Sequence, residues 1–227
     1  MTHDHEDHDA HEDHGGDRHH DEPHAHRSPP AQDHDDKLTY FRAMEIALRE
    51  LLIAKGIFTA EDMRREVEAM ESRKPENAAR LVARAWRDPD YKKRLLADGS
   101  AAARELGFEV GTLRLMAIEN TPSVHNLVVC TLCSCYPRML MGLPPAWYKS
   151  AAYRSRAVRE PRAVLREFGT ELPDDVEVRV HDSTADMRYM ILPLQPPGTD
   201  GWPEEELIPL ITRDSLLGVC LARNPTA

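Results

Sequence analysis

Only four cysteines occur in the 227 residues, and three of them crowd into six consecutive positions, so no disulfide framework can staple this chain. That usage reads as a cytoplasmic protein. No apolar run approaches the ~18 residues a membrane-spanning helix needs, and the N-terminal stretch has no apolar segment of the kind a signal peptide carries. Basic charge is not in excess either. The formal net charge of −10 comes entirely from residues 1–36, and the remainder balances, which excludes a cationic face for nucleic acid or an anionic membrane. There is no glycine-rich phosphate loop, no Ser/His/Asp set and no internal repeat. Nucleotide-phosphate binding and serine-type hydrolysis therefore have no residues to run on. What remains is an ordinary globular composition, 41% hydrophobic and 30% charged, sufficient for one core or two small ones.

The first 36 residues are a different material. Ten of the 12 histidines lie here among twelve acidic residues, with Arg18 and Arg27 as the only bases. Such a tail cannot bury enough apolar surface to offset ordering, and it is expected to be disordered. It reads as a solubilising segment. Delivery of metal through its histidines is the alternative.

The chemistry concentrates at Cys130-Thr131-Leu132-Cys133-Ser134-Cys135. Cys133 and Cys135 are too close to bridge without strain, so thiolates at this spacing point to one shared metal ion. Zinc is one candidate, because C-x-x-C is a common zinc half-site. A structural zinc takes four ligands from two separated pairs, and the second pair here would have to come from His125 or the distant Cys220. The other candidate is a strongly Lewis-acidic trivalent ion bound by the three sulfurs and by the deprotonated main-chain nitrogens of Ser134 and Cys135. That set fills five positions of an octahedron and leaves one open for catalysis. A Lewis acid there could polarise a bound group or lower the pKa of water to about 7.

These residues resemble the metal claw of the nitrile hydratase α subunit. The similarity continues upstream through Glu119-Asn120-Thr121-Pro122-Ser123-Val124-His125-Asn126 to Val129. Downstream it takes in Gly142 to Ser150, Tyr153 to Arg162, Gly198-Thr199-Asp200-Gly201-Trp202 and Thr212-Arg213-Asp214, spanning roughly Leu38 to Cys220. The resemblance implies a non-corrin cobalt(III) or non-haem iron(III) centre held by Cys130, Cys133, Cys135 and the amides of Ser134 and Cys135. It further implies Cys133 oxidised to sulfinic acid and Cys135 to sulfenic acid, with Ser134 and Cys135 as the catalytic residues of the claw. Thr131 resembles the cobalt-type claw, where the iron type has Ser, so cobalt is the expected metal. The implied partners are a β-type subunit supplying arginines to the claw, a small nitrile substrate and a cobalt-loading activator protein.

One residue departs from that pattern. Nitrile hydratases carry Trp three residues after the last claw cysteine, whereas Arg138 stands here, which resembles the γ subunit of thiocyanate hydrolase. The leading expectation is nitrile hydration to the amide. The alternatives are hydrolysis of thiocyanate to carbonyl sulfide and ammonia, and a non-catalytic zinc or cobalt carrier. Arg138, Tyr136 and Trp147 are the candidate substrate-pocket residues.

The expected fold class is α+β: a tail over 1–36, a helical arm over 37–110, and a mixed metal-binding domain over 111–227 with the claw on a loop leaving a strand. Apolar positions at helical spacing predict helices over Leu38–Gly56, Thr59–Glu71 with Thr59 as its cap, Pro75–Trp86 and, with Asp88 as the cap, Asp90–Ala97, then one capped by Ser100 and ending before Gly107. After Gly111 the period shortens. Strands are expected at Leu113–Glu119, Asn126–Cys130, Val176–His181 and Met187–Leu192. Helices are expected at Pro145–Ser150, Ala152–Arg159, Pro161–Phe168 and Pro203–Ile211. The basic run Arg154, Arg156, Arg159 and Arg162 reads as a solvated or subunit-facing surface, with direct contact to the claw as the alternative, and His125 and His181 read as structural histidines.

Overall fold

The computed structural model describes residues 38–225, so the tail expected over 1–36 lies outside the described residues. The chain divides between Ile57 and Phe58 into two units. The first holds α1 (Tyr40–Ala54), whose N-cap Thr39 accepts a hydrogen bond from the Arg42 amide; none of its residues is buried.

The second unit begins with four helices, α2 (Ala60–Glu71), α3 (Pro75–Arg87), α4 (Pro89–Ala97) and α5 (Gly99–Glu105). Thr59 and Asp62 cap α2 reciprocally, the hydroxyl accepting from the Asp62 amide and the carboxylate from the Thr59 amide. Of the stretch read as an arm, only α1 falls outside this unit. The alanine-rich face of α3 (Ala78, Ala79, Leu81, Val82, Ala83, Ala85) is buried and lets its neighbours approach closely. Ser100 is not the cap of α5. Asp98 caps it by accepting from the Ala101 amide, and Ser100 Oγ instead links α5 to the first strand, accepting from Leu115 N and donating to Leu113 O.

Four strands follow the change of period: β1 (Arg114–Glu119), β2 (Val124–Val129), β3 (Glu177–Asp182) and β4 (Met187–Leu192). β1 pairs with β4 and β2 with β3, both parallel. Parallel partners need a long crossover. The crossover from β2 to β3 holds the cysteine cluster and then α6 (Arg138–Met141), α7 (Ala146–Lys149), α8 (Ala151–Arg159) and α9 (Pro161–Glu167). Its register sets Val129, the last residue of β2, opposite Asp182, the last of β3. The chain ends through α10 (Glu204–Leu207), a 3-10 turn (Ile208–Leu210) and α11 (Arg213–Leu217). The single helix expected over Pro203–Ile211 is thus broken at Pro209, which has no amide hydrogen to continue it. The helices α6 and α11 are too short to show a period and were not expected. The mixed helix-and-strand class is as expected.

Gly218 closes α11 in the left-handed region, at φ 81°, with its Cα against the Asn126 carbonyl on β2, so a Cβ there would collide with main chain. The Gly218 carbonyl accepts from His125 Nε2 at 2.7 Å. That bond fixes the tautomer: Nδ1 is the acceptor, facing the Asn120 side-chain amide at 3.3 Å. Asn126 in turn accepts from His181 Nε2 at 2.8 Å. Both histidines are satisfied structural residues, His125 on the strand that leads to the cluster and His181 on its partner β3.

Candidate metal centre

Cys130 follows β2 directly and is buried, at 1% exposure. The chain then turns outward, leaving Thr131, Leu132 and Cys133 exposed, and returns through Ser134 and Cys135 to the buried Tyr136. The turn brings the sulfurs together. Cys130 and Cys133 Sγ lie 3.5 Å apart, Cys133 and Cys135 Sγ 3.3 Å, and all three within 4.8 Å of one another. Among the described residues this is the one group of three or more His, Cys, Asp or Glu placed to share an ion. A zinc tetrahedron completed by His125 or Cys220 does not form. His125 is turned to Gly218 and Asn120, and the Cys220 thiol to the Phe168 carbonyl.

The electrostatics set the sulfurs apart from one another. The Cys133 thiol is lowered, first by hydrogen bonds from the Cys135 and Cys130 thiols and then by the amides of Ser134 and Cys135 that face it. Cys135 is pushed up to about 12 by burial and by its two neighbours, while the Arg188 guanidinium acts the other way. A bound cation reverses this, because a coordinated thiol is deprotonated outright. Three sulfurs within 4.8 Å of one another are a donor set that suits a thiolate-binding ion.

The loop is held from three sides. Asp182, at the end of β3, accepts from Thr131 N at 2.9 Å and from Thr131 Oγ1 at 2.5 Å. From α8, Arg154 Nη1 donates to the carbonyls of Thr131 (3.3 Å) and Leu132 (3.0 Å). Beneath, Tyr148 OH donates to the Cys135 carbonyl at 2.8 Å and Tyr153 OH to the Val128 carbonyl at 2.6 Å. Arg154 thus takes the alternative, contact with the claw loop, whereas Arg156 pairs with Glu160 and Glu167 and Arg159 with Ser155. Arg162 departs from the expected surface, donating to the carbonyls of Leu172, Pro173, Asp174 and Val176. Asp182 was missed because its role depends on the parallel register of β2 and β3, which no local pattern reveals.

Of the three pocket candidates, Arg138 is exposed on α6 and lines a cavity of about 440 Å³ with Leu143 and Arg213. Tyr136 is buried, its ring 5.6 Å from that of Tyr148. Trp147 is half-buried in an aromatic stack with Tyr153 (4.8 Å) and Phe168 (4.7 Å).

The family model described as "Nitrile hydratase, alpha chain" matches residues 39–220. The chain belongs to the nitrile hydratase alpha-chain family. It is 52% identical over 178 residues to the cobalt-containing nitrile hydratase subunit alpha of Pseudonocardia thermophila, covering 76% of this chain and 86% of that one. It is also 44% identical over 200 residues to the thiocyanate hydrolase subunit gamma of Thiobacillus thioparus, covering 83% and 82%. Among solved structures, a recombinant thiocyanate hydrolase with partially modified cobalt centres superposes with a TM-score of 0.75 at 43% identity, covering 83% of this chain and 93% of that one. The chain is therefore an enzyme subunit of the nitrile hydratase family, with its cysteine cluster as a metal-binding group. Among the described residues, no helix is long and apolar enough to cross a membrane.

Proposed function

We propose that this chain is the metal-bearing subunit of a cobalt nitrile hydratase, which adds water to a nitrile to give the amide. The observation behind this reading is the convergence of three sulfurs on one loop at the end of β2. Cys130, Cys133 and Cys135 would hold the ion through sulfur, and Ser134 and Cys135 through their amide nitrogens. Thr131, the cobalt-type residue of the claw, and the cobalt-containing relatives favour cobalt over iron. When bound, the ion supplies Lewis-acid polarisation of the nitrile or of water.

The chain's own residues contribute position and access. Asp182, Arg154 and Tyr148 tie down the loop on both sides of Leu132 and so hold the three sulfurs together. The exposure of the sulfurs is graded: Cys133 open, Cys135 partly open, Cys130 buried. Oxidation follows thiolate character and access to oxidant, so this gradient supports sulfinic acid at Cys133, sulfenic acid at Cys135 and an unmodified Cys130. A group with that much negative charge needs cationic donors, which supports a β-type subunit bringing arginines to it.

A second reading has a specific observation behind it. Arg138 brings a fixed positive charge where the nitrile hydratase pattern has Trp, and the thiocyanate hydrolase gamma subunit is a close relative. Turnover by the assembled, cobalt-grown protein of acetonitrile, a heteroaromatic nitrile and thiocyanate decides between them. Amide formation from the nitriles supports hydration. Thiocyanate turnover well above both moves the activity to carbonyl sulfide production, and no turnover of any of the three contradicts both.

A further inference from the structure

The cysteine loop leaves β2 at Cys130 and returns to the buried Tyr136, so its shape depends on how its two ends are held relative to each other. Both ends are tied to Ser183. This residue directly follows β3 and is buried, at 3% exposure. Its amide donates to the carbonyl of Val129, the residue before Cys130, at 2.7 Å. Its hydroxyl hydrogen-bonds Tyr148.

The direction of that second path follows from counting protons. A hydroxyl has one to donate and lone pairs with which to accept. Ser183 Oγ accepts from the Tyr189 amide on β4 at 3.5 Å, which leaves its proton for the Tyr148 oxygen. Tyr148 accepts there and donates its own proton to the Cys135 carbonyl at 2.8 Å. Burial holds the Tyr148 hydroxyl well above its ordinary range, with the Ser183 hydroxyl acting the other way, so Tyr148 stays a donor. Its side chain is closed off from solvent, and its ring meets that of Tyr136, the residue after Cys135, at 5.6 Å. In such surroundings each bond polarises the next. Asp182, one residue earlier, holds Thr131 alone.

We propose that Ser183 is a positioning residue of the metal site: its amide fixes the start of the claw and its hydroxyl, acting through Tyr148, fixes Cys135. This rests on the cobalt-centre reading above and adds to it a residue that touches neither ion nor substrate. A Cys135 sulfur drawn off the ion regains its proton and with it loses reactivity towards oxidant. Cys133, which has no bond to Ser183 or Tyr148, keeps its oxygens.

The test compares Ser183→Ala, Ser183→Thr, Tyr148→Phe and the double variant Ser183→Ala/Tyr148→Phe, each in the assembled protein grown with cobalt. Peptide mass spectrometry reads the oxygens on Cys133 and Cys135, and the sulfur-to-cobalt charge-transfer absorption reads the ligand geometry. Ser183→Ala and Tyr148→Phe should each lower the oxidised fraction of Cys135 relative to that of Cys133 about threefold or more, and shift the absorption. Ser183→Thr keeps the hydroxyl and should match the wild type. The double variant should go no further than Tyr148→Phe alone, because the hydroxyl acts through Tyr148. Additive losses, or an unchanged ratio and absorption in Ser183→Ala, overturn the role of Ser183 and leave the cobalt reading standing. Exchangeable zinc on reduced cysteines in the wild type overturns that reading and the role of Ser183 with it.

Discussion

Removing the Asp182 side chain should weaken the metal site without touching a sulfur. Its two oxygens accept from Thr131 N at 2.9 Å and Thr131 Oγ1 at 2.5 Å, and they are the tie between the cysteine loop and β3. Hydrogen bonds to a charged group contribute about 1.5–3 kcal/mol each when buried. Asp182 and Thr131 are exposed, so solvent competes and each bond is discounted to roughly 0.5–1 kcal/mol. Losing both weakens the ordered loop by about 1–2 kcal/mol, or roughly 5- to 30-fold in its order–disorder equilibrium constant. Apparent metal affinity falls by the fraction of chains still competent to bind. In Asp182→Ala grown with limiting cobalt, cobalt per chain and oxidised Cys133 should therefore fall together, with a small drop in melting temperature of roughly 2–4 °C per kcal/mol. Asp182→Asn keeps an acceptor for the Thr131 amide and should lie between the variant and the wild type. Metal analysis and peptide mass spectrometry on the three proteins make the comparison. Wild-type cobalt content in Asp182→Ala at limiting cobalt refutes the reasoning, because the loop would then be ordered by something else.

Other outcomes follow from the same geometry. Gly218→Ala forces a side chain into a left-handed conformation and against the Asn126 carbonyl, so it should destabilise by about 2–4 kcal/mol, measured by denaturant unfolding; a loss below ~0.5 kcal/mol would show that the α11–β2 contact yields freely. Burial lowers His125, which must stay neutral to accept from Asn120. Its stability contribution is complete above the unfolded value of about 6.5 and is lost as pH falls below it towards the depressed folded value. The melting temperature should thus drop between pH 7 and 5, and less steeply in His125→Gln; equal slopes would remove His125 as the cause. Arg138→Trp exchanges a charged, multi-donor group for an apolar wall and should shift relative kcat/KM towards alkyl nitriles about tenfold, whereas unchanged ratios place Arg138 outside the pocket.

The claw was legible because its chemistry is local: three cysteines at this spacing can converge on one ion whatever surrounds them. The caps at Thr59 and Asp88 were legible for the same reason, each being a side chain bonding an amide two or three residues on. What holds the claw was not. Asp182 lies 51 residues from Thr131 and reaches it only through the register of β3 against β2. Arg154 belongs to a basic run whose members do four different things, bonding the claw loop, two glutamates, a serine and a row of carbonyls. Packing also crosses the change of period near Gly111, since α4 and α5 lie against β1. Periodicity reports which face is apolar and does not say what covers it.

The central claim is that Cys130, Cys133 and Cys135 hold one cobalt and are oxidised unequally. Metal analysis combined with mass spectrometry of the peptide spanning Cys130 to Cys135, on protein produced with cobalt present, tests it directly. The account predicts one cobalt per chain, two added oxygens on Cys133, one on Cys135 and none on Cys130. Exchangeable zinc bound to three reduced cysteines would contradict it and would make the chain a metal carrier.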